Sequence, residues 1–403
     1  MTKDSMKLSG FQLLALWFGA AISLAEIFTG GFLAPLGFSE GVKAIVLGHL
    51  IGGIILIMGG VIGAKSKLPA MMSTRISFGA YGSYVFSLLN VLQLIGWTAV
   101  MIISGGRAAN ELGKSLFGFD NIMVWSLLIG ILISLWILLG KEGFKKLNVI
   151  AVVLLFALTL LLCFVVFRES SVFSSVSTGK MSFGSALELS VIMPLSWLPL
   201  IADYTRFAQK KGSGLFGSFL GYFLGSSLMY TIGLAIALYS KDGDVSVMMN
   251  AMHLGFFALC IVLLSTVTTT FLDAYSAGVS FLNVFPKFNE RKVAFVMGLI
   301  GLVIALVAPI EEYENFLYAI GSVFAPLFAI LLSDYFFFKQ ESIQENLNLH
   351  IGSFLIWVIG VYAYYQFLAY DFIIGSTLPT MLVTALLFVI TKQGMKKWIL
   401  EKR

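Results

Sequence analysis

The chain has 403 residues, 59% of them hydrophobic and 12% charged, with a mean hydropathy of +0.94 and a formal charge of +5. A soluble domain carries about 25% charged residues, so the composition excludes a soluble globular protein and specifies an all-α, polytopic membrane protein. The positive charge does not mark an acidic partner, because its distribution follows the loops.

Crossing a hydrocarbon core about 30 Å thick takes about 20 predominantly apolar residues. Twelve such spans are predicted, over residues 13–34, 42–64, 79–106, 122–140, 147–167, 186–204, 215–239, 252–281, 293–308, 313–337, 351–370 and 378–391. With the N-terminus in the cytoplasm, twenty of the 26 Lys and Arg residues fall in the inside segments and six outside. That bias obeys the positive-inside rule and places both termini in the cytoplasm. The first span is longer than a signal-peptide core and is expected to be retained. Cys163 and Cys260 fall within apolar segments and read as small hydrophobes.

The first span carries SLAEIFTGGFLAP, residues 23–35. A carboxylate near the bilayer centre costs about 2.5–3.5 kcal/mol on insertion scales, so Glu26 reads as a site residue. The alternative is a structural carboxylate bonded to amides freed by a break in its own helix. Gly30, Gly31 and Pro35 are expected to make that break. Backbone carbonyls between Ile22 and Ala25 are then candidates for holding a cation.

In the third span Gln93, Trp97 and Met101 follow a spacing of four and share one face near mid-membrane. A Trp there, beside an amide, suits a flat polar ligand, or packs on a neighbouring helix. The sixth span holds Pro194 and Pro199 in MPLSWLP. Ser196 and Trp197 lie in that break, where Trp197 forms an opposite aromatic wall or faces lipid. The first and sixth spans are five apart, and an odd offset returns the chain with inverted topology. The expected units are residues 1–167, residues 168–338, and two further spans with a tail in residues 339–403.

The eighth span contains STVTTTFLDAY, residues 265–275. Such hydroxyls bond helix carbonyls or join helices. Thr269 and Asp273, one turn apart, also offer hard oxygen ligands that suit a small cation. Asp273 is alternatively a proton carrier or a second substrate contact. Asp203 and Arg206 at the end of the sixth span read as a helix-end ion pair or hinge. Glu188, His253 and Arg107 are expected to be solvated near outer ends, and Glu311, Glu312 and Glu314 to lie in an outer loop.

In this order, the TGG of the first span, the loop KLPAMMSTRISFGAYGS, the IGW of the third span, ADYTRF, the TTT run and FAPLFAILLSDYFF resemble the nucleobase–cation symporter family, the cytosine, hydantoin and allantoin permeases. The likeness covers about 330 residues. Within the family the chain is most similar to the bacterial branch assigned to hydroxymethylpyrimidine, a thiamine precursor. The resemblance implies a LeuT-like fold of two inverted five-helix repeats plus two C-terminal helices, in a bacterial inner membrane. It implies that Trp97 stacks on the base and that Ser196 and Trp197 contact it. It also implies that Thr268 and Thr269 line a sodium site completed by carbonyls of the first span and of Ser265. Glu26 and Asp273 depart from the cytosine permeases, and Glu26 suits the amino edge of a 4-aminopyrimidine.

The expected function is therefore secondary active import of a small pyrimidine by alternating access. Sodium or protons would drive it, with no other cofactor and no protein partner beyond the bilayer. Rivals are cytosine, another purine or pyrimidine, a hydantoin or an amino acid; Glu26 in the break disfavours an anionic solute. No P-loop signature is present to make the chain its own ATP motor. A membrane enzyme acting on a diphosphate would need clustered acids, and Asp203 has none within a turn or two.

Overall fold

The computed structural model describes residues 7–168, 170–240, 255–307, 313–344 and 347–401. The first span is two helices, α1 (Gly10–Ala21) and α2 (Leu24–Phe32). A capping box starts α1: the Gln12 amide donates to Ser9 Oγ, and the Ser9 amide to Gln12 Oε1. The chain then leaves helical geometry at Ile22 and Ser23, and Ser23 Oγ accepts from the Glu26 amide to start α2. The break therefore lies upstream of the expected Gly pair. Gly30 and Gly31 are inside α2, and Pro35 follows it in the 3-10 turn Ala34–Leu36. A Cβ at Gly30 would stand 2.2 Å from the Tyr230 carbonyl oxygen, so that glycine serves close packing, not helix breaking.

α3 (Gly37–Ser66) forms the second span, and the short α4 (Ala70–Ser73) leads into α5 (Arg75–Phe117), the third. α5 kinks at Gly79, whose φ of +75° and contact with the Leu347 carbonyl require a residue without Cβ. Helical structure then runs from Ile122 to Val166 as α6, across the predicted connection between spans four and five. A straight 45-residue helix would be about 68 Å long. α6 follows the C-terminal end of α5, and at its own end Phe167 packs with its ring centroid 6.4 Å from that of Phe38, near the start of α3.

The sixth span is also broken, into α7 (Phe183–Ser196) and α8 (Ile201–Thr205), with residues 197–200 forming the turn. Next come α9 (Lys211–Ser240), α10 (Gly255–Val284), α11 (Glu290–Val307), α12 (Tyr313–Leu332) with a π-helical end at Ser333–Phe337, α13 (Ile351–Leu368) and α14 (Thr377–Glu401).

A continuous, glycine-striped helix backs each broken span. On α9, a Cβ at Gly217 would meet the Gly10 carbonyl oxygen at 2.2 Å, at Gly221 that of Leu14 at 2.3 Å, and at Gly233 that of Ile27 at 1.9 Å. On α3, Gly48, Gly52, Gly59 and Gly63 stand in the same way against Ser190, Pro194, Leu198 and Ala202 of the sixth span. The second span thus seats the sixth and the seventh seats the first, an exchange that matches two inverted five-span units. Backbone-to-backbone approach of this kind is how helices associate in lipid, where burial of apolar side chains offers little drive.

Several charged residues differ from expectation. Glu188 is buried, and its carboxylate accepts from Tyr364 Oη, the Ser376 amide, and both the amide and hydroxyl of Thr377. It ties α7 to α13 and α14 because the N-terminal amides of α14 need an acceptor. Asp203 Oδ1 accepts from the Ala70 amide at 2.9 Å and so caps α4, while Arg206 turns to the Asp203 carbonyl and to Tyr275. Glu314 is exposed but stands in the first turn of α12, not in a loop; His253, Glu311 and Glu312 lie outside the described residues.

Candidate functional site

The two breaks meet at a narrow, nearly closed cavity whose free space is about 10 Å³, about enough for a single water. Ser23, Ala25 and Glu26 reach it from the first break, and Met193, Ser196 and Trp197 from the second. α5 contributes Trp97 and Met101, and α10 contributes Thr269 and Asp273. Four elements distant in sequence thus bring seven of the expected substrate and cation residues onto one surface: Ala25, Glu26, Trp97, Ser196, Trp197, Thr269 and Asp273.

The aromatic walls are held from behind. Trp97 packs edge-on against Phe316, with ring centroids 5.5 Å apart. Trp197 stands edge-on to Trp17 at 5.7 Å, and Trp17 in turn meets Tyr204 and Tyr222. Trp197 is buried, so it does not face lipid. Gln93 lies off the cavity wall. Its amide donates to Asn90 Oδ1 at 2.8 Å and to the Ser196 carbonyl at 3.4 Å, bracing the second break, while its Oε1 is buried with no partner among the described residues.

The two acids of the cavity differ in their commitments. Glu26 Oε1 accepts from Tyr222 Oη at 2.9 Å, and Oε2 lies 2.6 Å from Ser226 Oγ. These partners are hydroxyls of α9, not amides of its own break. Asp273 is 3% exposed and has no hydrogen-bond or ion-pair partner among the described residues. A buried carboxyl without a partner is costly, and a ligand bearing donors or positive charge removes that cost.

Of the cation candidates, Thr269 Oγ1 reaches the Ala20 carbonyl at 3.3 Å, bridging α10 to the end of α1. Thr268 Oγ1 lies 2.8 Å from the Leu264 carbonyl and 3.1 Å from that of Ser265. Ile22 sits at the break itself. The Ala25 carbonyl lies within α2 and accepts from Thr29 Oγ1 at 2.8 Å.

Three residues beside the cavity escape a reading by motif. Trp17 backs Trp197, and Tyr222 and Ser226, one turn apart on α9, bind Glu26. His49, in the middle of the second span, joins them: its Nε2 lies 2.6 Å from Ser226 Oγ. An ionisable residue alone in an apolar span was the available signal.

Residues 2–356 match the family model described as permease for cytosine/purines, uracil, thiamine, allantoin. The chain belongs to this permease family. Among relatives, the cytosine permease of Escherichia coli K12 is 29% identical over 335 residues, covering 80% of this chain and 77% of that protein. The allantoin permease of Bacillus subtilis is 22% identical, covering 85% and 78%. A solved structure of Mhp1, a nucleobase-cation-symport-1 family transporter, closed with bromovinylhydantoin bound, superposes with a TM-score of 0.82 at 17% identity, covering 98% of this permease and 94% of Mhp1. A sodium-coupled sialic acid symporter superposes at 0.67 with 14% identity, covering 95% and 88%. These likenesses establish the inverted-repeat, LeuT-like fold. The protein is a multi-pass membrane transporter, not an enzyme.

Proposed function

We propose that this permease imports a 4-aminopyrimidine, best matched by hydroxymethylpyrimidine, in symport with a cation. The observation that carries this reading is Asp273, a buried and unpartnered carboxyl on the wall of a cavity flanked by two tryptophans. A flat aminopyrimidine stacks on Trp97 and Trp197 and brings an exocyclic amine to the carboxylate. Cytosine and uracil also carry ring carbonyls, which the Asp273 and Glu26 oxygens repel. The relatives' names support a nucleobase-like substrate, and the alternative of cytosine, a purine or a hydantoin rests on them equally.

Thr268, Thr269 and Ser265, with the Ala20 and Ile22 carbonyls, form the proposed sodium site. Each positive charge moving inward gains about 2.3 kcal/mol per 100 mV, enough for useful accumulation. In this reading residues 1–167 and 168–338 are the inverted units, residues 339–403 are the added pair, and both termini face the cytoplasm of a bacterial inner membrane.

The test is uptake by proteoliposomes of a labelled panel, hydroxymethylpyrimidine, cytosine, uracil, allantoin and phenylalanine, with sodium and proton gradients imposed separately. Hydroxymethylpyrimidine is expected to lead. Asp273→Asn is expected to lower its uptake at least about tenfold, equivalent to 1.4 kcal/mol. Uptake insensitive to both gradients refutes symport; a preference for cytosine or allantoin moves the substrate to the alternative.

A further inference from the structure

The bonds of Glu26 continue into the second span, and counting their protons yields a constraint. His49 Nδ1 lies 2.8 Å from the Ile45 carbonyl oxygen, which has no proton to give, so Nδ1 carries the hydrogen. His49 Nε2 and Ser226 Oγ are 2.6 Å apart, and Ser226 Oγ and Glu26 Oε2 are also 2.6 Å apart. Each of these two short contacts needs one hydrogen between its heavy atoms. Ser226 supplies only one. Tyr222 cannot supply the other, because its hydroxyl hydrogen is given to Glu26 Oε1. Without a further proton, one contact would set lone pair against lone pair in a buried site.

We infer that Glu26, Ser226 and His49 form a proton-binding site that holds one proton and links its occupancy to the substrate cavity. The proton has two balanced placements. In one, imidazolium Nε2 donates to Ser226 Oγ, which donates to a Glu26 carboxylate. In the other, a Glu26 carboxylic acid donates to Ser226 Oγ, which donates to a neutral imidazole. They interconvert as Nε2 gives its proton to Oγ while Oγ gives its own to Oε2, with no change in total charge. Because Glu26 lines the cavity and His49 does not, the placement decides whether the ligand meets a carboxylate or a neutral acid.

The other titratable groups on the packed helices leave this count intact. On α9, Tyr222 is committed to Glu26, and Tyr230 meets His49 with its ring edge and gives its hydroxyl to the Leu189 carbonyl. Asp273 on α10 stands across the cavity, Glu188 on α7 is taken by four donors, and Asp203 on α8 caps α4. No Lys or Arg bonds to Glu26, Ser226 or His49 among the described residues.

The site goes beyond the proposed substrate, and its test has an arm that needs none. Infrared titration of the full-length protein in lipid nanodiscs is expected to show, without substrate, either a carboxylic-acid band that Glu26→Gln removes or an imidazolium band that His49→Gln removes. If neither variant removes a band at any pH where the protein stays folded, the inference is wrong. In the second arm, proteoliposomes holding a pH dye receive hydroxymethylpyrimidine or cytosine, with and without an imposed sodium gradient. Lumenal acidification is expected to accompany uptake, and His49→Gln is expected to shift the pH profile of uptake. Uptake with no proton movement and an unshifted His49→Gln profile overturns the linkage. If neither pyrimidine enters, the proposed substrate fails while the infrared arm still decides the proton site.

Discussion

Glu188→Ala and Glu188→Gln separate two readings of a buried acid that touches no cavity of the transport path. Its carboxylate accepts four hydrogen bonds, from Tyr364 Oη at 2.8 Å, Thr377 Oγ1 at 2.6 Å, the Ser376 amide at 2.7 Å and the Thr377 amide at 2.8 Å. Truncation to Ala orphans all four donors. The two hydroxyls can rotate toward other acceptors, but the two amides are fixed at the start of α14. Each orphaned buried donor costs about 1–3 kcal/mol, so the amides alone set a loss of about 4 kcal/mol for Glu188→Ala. Gln keeps an oxygen for the amides and turns its NH₂ to the hydroxyl oxygens. It forfeits charge assistance and little else, about 1 kcal/mol. Tyr364→Phe removes one donor and leaves the rest satisfied, for a similar small loss. Denaturant unfolding in mixed micelles, with each variant compared at a common endpoint, reads these differences. A Gln variant as damaged as Ala, or an Ala variant within about 1 kcal/mol of the parent, would refute the capping argument.

Gly233→Ala places a Cβ 1.9 Å from the Ile27 carbonyl oxygen, against backbone that cannot rotate away. It is expected to displace α2, and Glu26 with it, at a cost of about 1–3 kcal/mol, lowering both thermal stability and uptake; Gly212→Ala, with open space around it, is the neutral control. His350 Nδ1 accepts from the Ser353 amide at 3.0 Å to cap α13, and burial, reinforced by Lys392, holds its pKa below the ordinary 6.5. A depressed histidine pKa means the unfolded chain binds the proton first, so this cap contributes about 1 kcal/mol above pH 6.5 that is lost as pH falls through the folded value. His350→Asn, a cap that does not titrate, is expected to remove that slope from stability measured against pH; an unchanged slope would show that another group sets it.

Helix content, the span pattern and the paired breaks were legible because lipid demands long apolar segments and punishes irregular backbone. The position of the first break was not. Gly30 and Gly31 advertise a weak helix, yet their glycines answer to Tyr230 and to α9, which no local reading reveals, while Ser23 supplies the N-cap at the true discontinuity. The surroundings of Glu188 were hidden for the same reason, since all its partners lie more than 170 positions away.

By composition and periodicity alone, the chain declares itself a multi-span membrane protein with a tryptophan, a hydroxyl run and two acids within its spans. Those features arise from solvation by lipid, which acts on each segment separately. Which acid is free and which is bound was decided only by tertiary structure. Glu26 and Asp273 carry the same group in similar spans, but α9 presents Tyr222 and Ser226 to one and nothing to the other. Hydrogen-bond partners depend on helix packing across the whole bundle, and that packing places His49 at the end of a chain of bonds that begins in the cavity.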